Sequence, residues 1–206
     1  IASGEITNHE LITYLSKMKI PMLVSTGMTT ISEIAEVVEI IKQHNCPFTL
    51  LHCVSSYPTL VKDANLSTIQ YLKTTFNVPV GFSDHTTGVE VSLAAVALGA
   101  SVIEKHFTLD KNMPGPDQKL SLDPSEFLEL STKTKLIEKA MGIPRSTIIK
   151  SEINFRDNMR KSLGVKSDIS SGTIITRPMI SLFRPGIGIP PNMIDNIIGR
   201  TVKRPI

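Results

Sequence analysis

Four short apolar runs, separated by helical stretches, constrain the fold of this chain more than any other feature of its sequence. They are PMLVSTG (21–27), FTLLHCVS (48–55), PVGFSDH (79–85) and VIEKHF (102–107). Each is rich in β-branched or aromatic residues and too short for a helix, so each is predicted to be a buried strand. Their first residues lie 27, 31 and 23 positions apart, which is typical of strand–helix units. The chain up to about residue 142 is therefore predicted to be α/β with parallel strands.

The helices between these runs have recognisable beginnings. Thr30 and Glu33 fit a capping box, in which each side chain bonds the other residue's backbone. Asp123 followed by Pro124 predicts an N-cap with proline in the first helical position. Asn65 is predicted to cap a further helix that follows the second strand.

Two parallel-sheet folds fit this pattern. An open doubly wound sheet usually carries a glycine-rich phosphate loop after its first strand, and the chain has neither GxGxxG nor a P-loop pattern. A (β/α)8 barrel needs no such loop, because its active site lies at the carboxyl ends of the strands. Those ends carry polar clusters here, namely Ser25-Thr26, Ser55-Ser56-Tyr57, Ser83-Asp84-His85 and Glu104-Lys105-His106. We therefore predict a partial (β/α)8 TIM barrel, from about strand 4 to strand 8, in which residues 1–4 end strand 4.

After Gly142 the pattern changes to short apolar runs broken by glycine and proline. Residues 1–145 are predicted to form the barrel part, 146–158 a linker, and 159–206 a small β-rich domain. Residues 146–206 contain ten Lys or Arg against four Asp or Glu, whereas the rest contains 12 basic and 15 acidic residues. A basic tail suits an anionic small molecule, while its scattered charges and two aromatic residues argue against nucleic acid.

Several classes of protein are excluded by composition. No run approaches the ~18 apolar residues of a membrane span, and no signal-peptide pattern opens the sequence. Cys46 and Cys53 are the only cysteines and show no metal or redox spacing. We expect a reduced, cytoplasmic protein that binds neither membranes nor nucleic acid.

Two histidines follow neighbouring strands and are candidates for a metal site. His85 and His106 would both reach the mouth of the barrel. Two neutral imidazoles together with water suit a divalent ion that acts as a Lewis acid. The alternative is that each histidine only hydrogen-bonds its own loop.

Hydroxyl and carboxyl groups surround the same predicted mouth. Ser3 and the strand-end serines could donate hydrogen bonds to phosphate or carboxylate oxygens. Glu5, Glu104, Asp84 and Asp117 could transfer protons, or cap helices and pair with lysines. A Ser–His–Asp hydrolase is unsupported, because the chain lacks a GxSxG motif.

Six segments in this order resemble the N-acetylneuraminate (sialic acid) synthase family: IASGEITN, LVSTGM, LHCVSSYP, GFSDHTTG, AVALGASVIEKHFTLD and GPDQKLSLDP. The tail from KSLGVKSDISSGTIITRPMI to GIGIPPNMIDNIIGRTV resembles that family's C-terminal antifreeze-like (SAF) domain. The resemblance implies a TIM-barrel transferase that joins phosphoenolpyruvate to N-acetylmannosamine, giving sialic acid and phosphate. It also implies a domain-swapped homodimer and a divalent metal, Mn²⁺ or Mg²⁺.

The resemblance also implies residue roles, position by position. The matches are metal ligands at His85 and His106, phosphoenolpyruvate contacts at Ser3, Ser25, Ser55 and Ser83, sugar contacts at Tyr57, Asp117 and Arg184, and acidic catalytic groups at Glu5 and Glu104. Arg184 matches the arginine that reaches the sugar bound by the partner subunit. Two positions depart from the pattern: Ser55 stands where some members have Asn, and Gln118 stands where many have His.

The family's first three strands are absent from the sequence, and with them a substrate-binding Glu and a phosphoenolpyruvate-binding Lys. We therefore expect this chain to be inactive alone and its parent to be a synthase. Within the family, the alternative products are legionaminic and pseudaminic acid. Outside it, the alternatives are a metal-dependent barrel hydrolase and a non-catalytic carbohydrate-binding module.

Overall fold

All four apolar runs form strands of one parallel sheet. In the computed structural model, which describes residues 1–206, the strands are β1 (Met22–Ser25), β2 (Phe48–Cys53), β3 (Val80–Asp84) and β4 (Ile103–Lys105). Their order across the sheet is β1-β2-β3-β4, with no reversal. A doubly wound sheet would reverse direction at a switch point, whereas sequential right-handed crossovers place every helix on one face. The sheet is therefore a four-stranded arc of a parallel barrel.

The backbone that precedes β1 in the sequence lies beside it. The amino group of Ile1 donates to the Leu23 carbonyl at 2.6 Å, and the Ser25 amide donates to the Ile1 carbonyl at 3.0 Å. Residues Ser3–Glu5 then turn into a short 3-10 helix. The predicted strand end over residues 1–4 is thus seen only at its first residue.

Five helices accompany the sheet: α1 (His9–Lys17), α2 (Ile31–Gln43), α3 (Ser67–Phe76), α4 (Glu90–Ala97) and α5 (Pro124–Met141). The predicted capping box at Thr30 is present, and Asp123 is the N-cap of α5 as predicted, with Glu126 completing a capping box there as well. The predicted cap at Asn65 was wrong. Asn65 has a positive φ of 44° and its side chain donates to the Asp63 carbonyl, so α3 begins after Leu66 without a side-chain cap.

The main core lies between the sheet and its helices, because each helix buries one apolar stripe against the strands. Its fully buried members are Ile12, Val24, Val37, Ile41, Leu50, Ile69, Leu72 and Ala95. A second, smaller cluster joins Val89 of the loop before α4, Leu122 before α5 and Leu130 within α5. These contacts hold the loops that carry the candidate site on a fixed scaffold.

The chain divides into two compact units, Ile1–Gly142 and Ile143–Ile206. The second contains α6 (Lys150–Met159) and an antiparallel pair, β5 (Ser162–Val165) with β6 (Ile180–Phe183). Its core includes Ile169, Ile175 and Val202.

The segment predicted as a linker, 146–158, is largely helical, since α6 covers most of it. Pro144 precedes α6 and so does not interrupt it. The assignment of the tail as an antifreeze-like domain stays a prediction. No helix in the chain is both long enough and apolar enough to cross a bilayer.

Candidate active site

Side chains at the carboxyl ends of three strands form one row across the sheet. In the parallel register Cys53 lies beside Ser83, and Ser83 lies beside Glu104. The hydroxyl of Ser83 donates a hydrogen bond of 2.7 Å to the Glu104 carboxylate. Because residues paired in register point to the same face of a sheet, the strands themselves bring these three groups together.

The two histidines singled out by the sequence lie next to each other. The ring centroids of His85 and His106 are 5.2 Å apart and the rings are inclined at 67°. Nδ1 of His85 is 2.8 Å from the Val54 carbonyl, which can only accept, so this nitrogen carries a proton and Nε2 is the nitrogen that could bind a metal. Nδ1 of His106 is 3.7 Å from a carboxylate oxygen of Asp117.

This arrangement fits a divalent metal held by His85 and His106. A ligating imidazole usually donates its other nitrogen to a carbonyl or carboxylate, as His85 does to Val54. No cluster of three or more His, Cys, Asp or Glu side chains in the chain has the geometry of a metal site. Two imidazole ligands would leave positions open to substrate or water, which distinguishes a catalytic ion from a closed structural one.

Tyr57 lies against both histidines. Its ring centroid is 4.1 Å from that of His85 and 5.8 Å from that of His106. Burial raises the pKa of Tyr57, and the negative charges of Cys53, Asp117 and Glu104 raise it further. The phenol therefore stays protonated at neutral pH and can donate a hydrogen bond to a ligand.

A second group of donors converges on Gly27, just after β1. The Gly27 amide donates to the Ser3 hydroxyl at 2.9 Å. A Cβ atom at position 27 would lie 2.3 Å from the Ser55 oxygen, 2.8 Å from the Ser3 oxygen and 3.2 Å from the Cys53 sulfur. A side chain at this position would displace the two serine oxygens, and the space that glycine leaves is lined by groups that can bind anionic oxygens.

Cys53 belongs to this site, although it was not among the residues predicted for it. Burial raises the pKa of the Cys53 thiol, but bonds to His85, Ser3 and Ser83 outweigh this effect and lower it overall. A signal was present, because Cys53 and Ser55 are two residues apart and two-residue alternation puts them on one face. The spacing between Cys46 and Cys53 alone gives no indication of this role.

Three predicted site residues are not seen in contact with this group. Ser25 is buried in β1 and pairs with Leu51, two register rows below Cys53. Glu5 is exposed and accepts a hydrogen bond of 2.8 Å from Asn8. Arg184 belongs to the second unit, where its Nε donates to the Met159 carbonyl at 3.0 Å. The roles that the resemblance implies for these three stay predictions.

Comparison with known proteins adds an independent observation. A family model described as the NeuB family matches residues 1–146. The N,N'-diacetyllegionaminic acid synthase of Campylobacter jejuni is 43% identical over 207 residues, which are 99% of this chain and 62% of that protein. The human N-acetylneuraminate-9-phosphate synthase is 37% identical over 204 residues, which are 98% of this chain and 57% of that protein.

The chain is also similar to a solved structure of a sialic acid synthetase. The N-acetylneuraminic acid (sialic acid) synthetase of Leptospira borgpetersenii superposes with a TM-score of 0.72 at 43% identity, covering 76% of this chain and 56% of that one. The chain thus spans about three fifths of the length of the curated relatives it matches.

Proposed function

Because this chain belongs to the NeuB family, we propose that the full-length protein carrying it condenses phosphoenolpyruvate with an N-acetylated hexosamine, giving a nonulosonic acid and phosphate. One observation supports this most directly: Tyr57, His85 and His106 meet beside the Ser83–Glu104 hydrogen bond. Acidic, hydroxyl and imidazole groups in one place suit a reaction that joins an anion to an aldehyde.

The proposed reaction forms a carbon–carbon bond first and releases phosphate last. C3 of phosphoenolpyruvate attacks the aldehyde carbon of the open-chain sugar, the carbonyl oxygen takes up a proton to become a hydroxyl, and cationic character develops at C2. Water adds at C2 with loss of one proton, and the resulting tetrahedral centre expels phosphate to leave the keto acid.

The serine hydroxyls around Gly27 would bind phosphoenolpyruvate. The Ser3 and Ser55 oxygens face one space. The Ser83 hydroxyl lies on the neighbouring strand, in the register row of Cys53. Charge-assisted hydrogen bonds from Ser3 and Ser55 to phosphate or carboxylate oxygens would orient C3 toward the sugar, while the proton of the Ser83 hydroxyl is donated to Glu104.

Glu104 is suited to the charged stage at C2. The hydrogen bond from Ser83 fixes its carboxylate, and a fixed carboxylate can stabilise positive charge without rearranging. We assign it the proton released when water adds. Glu5 is proposed as a second acidic group on the implication of the family resemblance alone.

Tyr57 and Asp117 would hold the sugar beside the histidines. The phenol is kept protonated by its surroundings, so it can donate to a sugar oxygen, while the Asp117 carboxylate can accept from sugar hydroxyls. A Mn²⁺ or Mg²⁺ ion bound by His85 and His106 would supply Lewis-acid polarisation of the aldehyde oxygen.

The first acceptor that we propose is N-acetylmannosamine, with sialic acid as the product. The second is a 2,4-diacetamido sugar, with legionaminic acid as the product, because the Campylobacter relative is a legionaminic acid synthase. The two acceptors differ in the substituent at C4, so side chains near that carbon would discriminate between them.

The test is phosphate release by the metal-stripped full-length protein with phosphoenolpyruvate and each acceptor in turn, before and after addition of Mn²⁺. We expect release to require phosphoenolpyruvate, one of the acceptors and the metal. Release with neither acceptor would contradict the proposal.

Two variants complete that experiment. His85→Ala should abolish release, because it removes one of the two imidazoles. His9→Ala is the matched control, since His9 is partly exposed on α1 and lies 3.6 Å from Glu36. It should release phosphate at the wild-type rate.

A further inference from the structure

Behind the candidate site lies an ion pair from which solvent is excluded. Nζ of Lys105 is 2.9 Å from Oδ2 of Asp84, and both side chains are 0% exposed. The two residues are paired in register across β3 and β4, one position beyond the Ser83 and Glu104 pair. Alternation along a strand therefore points the ion pair to the helix side of the sheet.

The pair is the centre of a network that joins four parts of the chain. Oδ1 of Asp84 accepts from the Thr86 amide at 2.8 Å, and Oδ2 accepts from the Ser92 hydroxyl of α4 at 2.5 Å. Lys105 also donates to the Thr86 carbonyl. The network thus fastens together the end of β3, the residue after His85, α4 and the end of β4.

Stability alone does not account for this pair. Removing two charges from water costs about as much as their attraction returns, and apolar residues of similar volume often stabilise a core as well or better. A buried pair of this kind is better explained if it fixes the positions of the residues around it.

The groups around it are those of the candidate site. Asp84 and Thr86 hold the backbone on both sides of His85, and Lys105 separates Glu104 from His106. Strand β4 has only three residues, so few ladder hydrogen bonds define its register. A shift of one residue would turn Glu104 and His106 away from the site and Lys105 into it.

We propose that the Asp84–Lys105 pair is a positioning device that holds His85, His106 and Glu104 in their reactive arrangement. Neither residue of the pair touches the substrate in this arrangement, since both lie on the helix side of the sheet. The inference rests on the proposed function for its effect on turnover, but its effect on the histidines can be measured without turnover.

The main test is the double variant Asp84→Leu/Lys105→Met in the full-length protein, which replaces the pair by apolar residues of similar size. We expect a urea denaturation midpoint equal to or above that of the wild type. We expect kcat to fall by roughly tenfold or more, because the reacting groups are misplaced. The KM for phosphoenolpyruvate should change less than kcat, because Ser3 and Ser55 lie outside β3 and β4 and only Ser83 among the proposed contacts lies in them.

The second measurement is NMR of the metal-free protein labelled with ¹⁵N-histidine. In the double variant the imidazole signals of His85 and His106 should shift, while those of His9 and His44 should not. Unmoved signals would overturn the proposal whatever happens to turnover. Shifted signals with no turnover in the wild type would leave the positioning role standing and contradict the proposed function instead.

Ser92→Ala decides the matter if the double variant does not fold. This change removes one hydrogen bond to Asp84 from α4, and we expect the same two imidazole signals to shift, with a severalfold loss of kcat. Lys133→Met is the control, because it removes an exposed ion pair with Glu129 on α5 and should change neither kcat nor the signals. Unmoved signals in Ser92→Ala would overturn the proposal.

Discussion

At the scale of single residues, a missing side chain is as important to the candidate site as those that are present. Ser3, Ser55 and Cys53 approach each other only because position 27 is glycine. The requirement is one of space, since Gly27 is not among the glycines with a positive φ. The proposed phosphoenolpyruvate pocket therefore depends on a residue that carries no functional group.

Gly27→Ala should weaken phosphoenolpyruvate binding. Its Cβ would overlap the Ser55 and Ser3 oxygens, so these hydroxyls must move, and we expect KM for phosphoenolpyruvate to rise by roughly ten- to a hundredfold. Gly4→Ala is the matched control, because a Cβ at Gly4 meets nothing within 4 Å. Steady-state kinetics of both variants would check this, and an unchanged KM in Gly27→Ala would remove the hydroxyls from the proposed pocket.

His52 predicts a dependence of stability on pH that is separate from catalysis. It is buried, its Nε2 lies 2.7 Å from the Ala64 carbonyl, and its ring stacks on Phe82. Burial lowers its pKa below the ordinary value of 6.5, despite the opposing effect of the Ala64 hydrogen bond. The unfolded chain thus binds the proton more readily than the folded one. The stability contributed by neutral His52 is present above pH 6.5 and is lost as the pH falls through the folded-state pKa.

We expect the stability of His52→Gln to fall less with decreasing pH than that of the wild type. The amide of the glutamine can still donate to the Ala64 carbonyl. Urea denaturation midpoints at about pH 7 and about pH 5 would measure it. The wild type should lose more stability over this interval than the variant. Equal losses would show that His52 is not the titrating group.

At the scale of elements, helix α5 buries one apolar side chain and leaves several others exposed to solvent. Leu130 is 4% exposed and packs with Val89 and Leu122, whereas Leu128 on the same helix is 68% exposed. Leu122 directly precedes the N-cap of α5, and its amide donates to the His106 carbonyl. The position of α5 is therefore connected to the loop that carries His106.

Leu130→Ala should lower the free energy of unfolding by about 2–5 kcal/mol, because it leaves a cavity between α4 and α5. Leu128→Ala changes the same side chain in the same helix and should cost no more than about 0.5 kcal/mol. Urea denaturation of both variants followed by circular dichroism would compare them. Similar losses in the two variants would contradict the packing of α5 described above.

At the scale of the whole molecule, the family resemblance implies a homodimer in which Arg184 would complete the site of the partner subunit. This proposal comes from the family resemblance, and it has a consequence that a self-contained site would not have. Each site would need His85 from one subunit and Arg184 from the other. Two inactive variants could then form one intact site in a mixed dimer.

Mixing His85→Ala with Arg184→Ala in the full-length protein should therefore restore activity. With free exchange of subunits, half of the dimers are mixed and one of their two sites is intact, so recovery should reach about a quarter of the wild-type rate. Mixing His85→Ala with His106→Ala is the control and should restore nothing, because both changes affect the same subunit's histidine pair. Absence of recovery in the first mixture would show that Arg184 does not act across subunits.

Much of this architecture could be predicted from the sequence, because the signals are local. The four strands and their parallel pairing follow from short apolar runs at a regular spacing, and the capping boxes at Thr30 and Asp123 need only four consecutive residues each. The histidine pair was predicted for the same reason, since parallel strands place their carboxyl ends at one edge. Local signals failed where a backbone conformation depends on its neighbours, as at Asn65.

What only the tertiary structure decided is which side chains share a register row and which lie behind it. Cys53 joins the site because it is level with Ser83, and Asp84 and Lys105 lie behind the site because they are level with each other on the opposite face. The sequence placed both residues among the polar groups at the mouth of the barrel, yet both are fully buried on the opposite side of the sheet. Register is set by hydrogen bonds between strands that are twenty or thirty residues apart in the sequence, and a displacement of one residue exchanges the two faces of a strand.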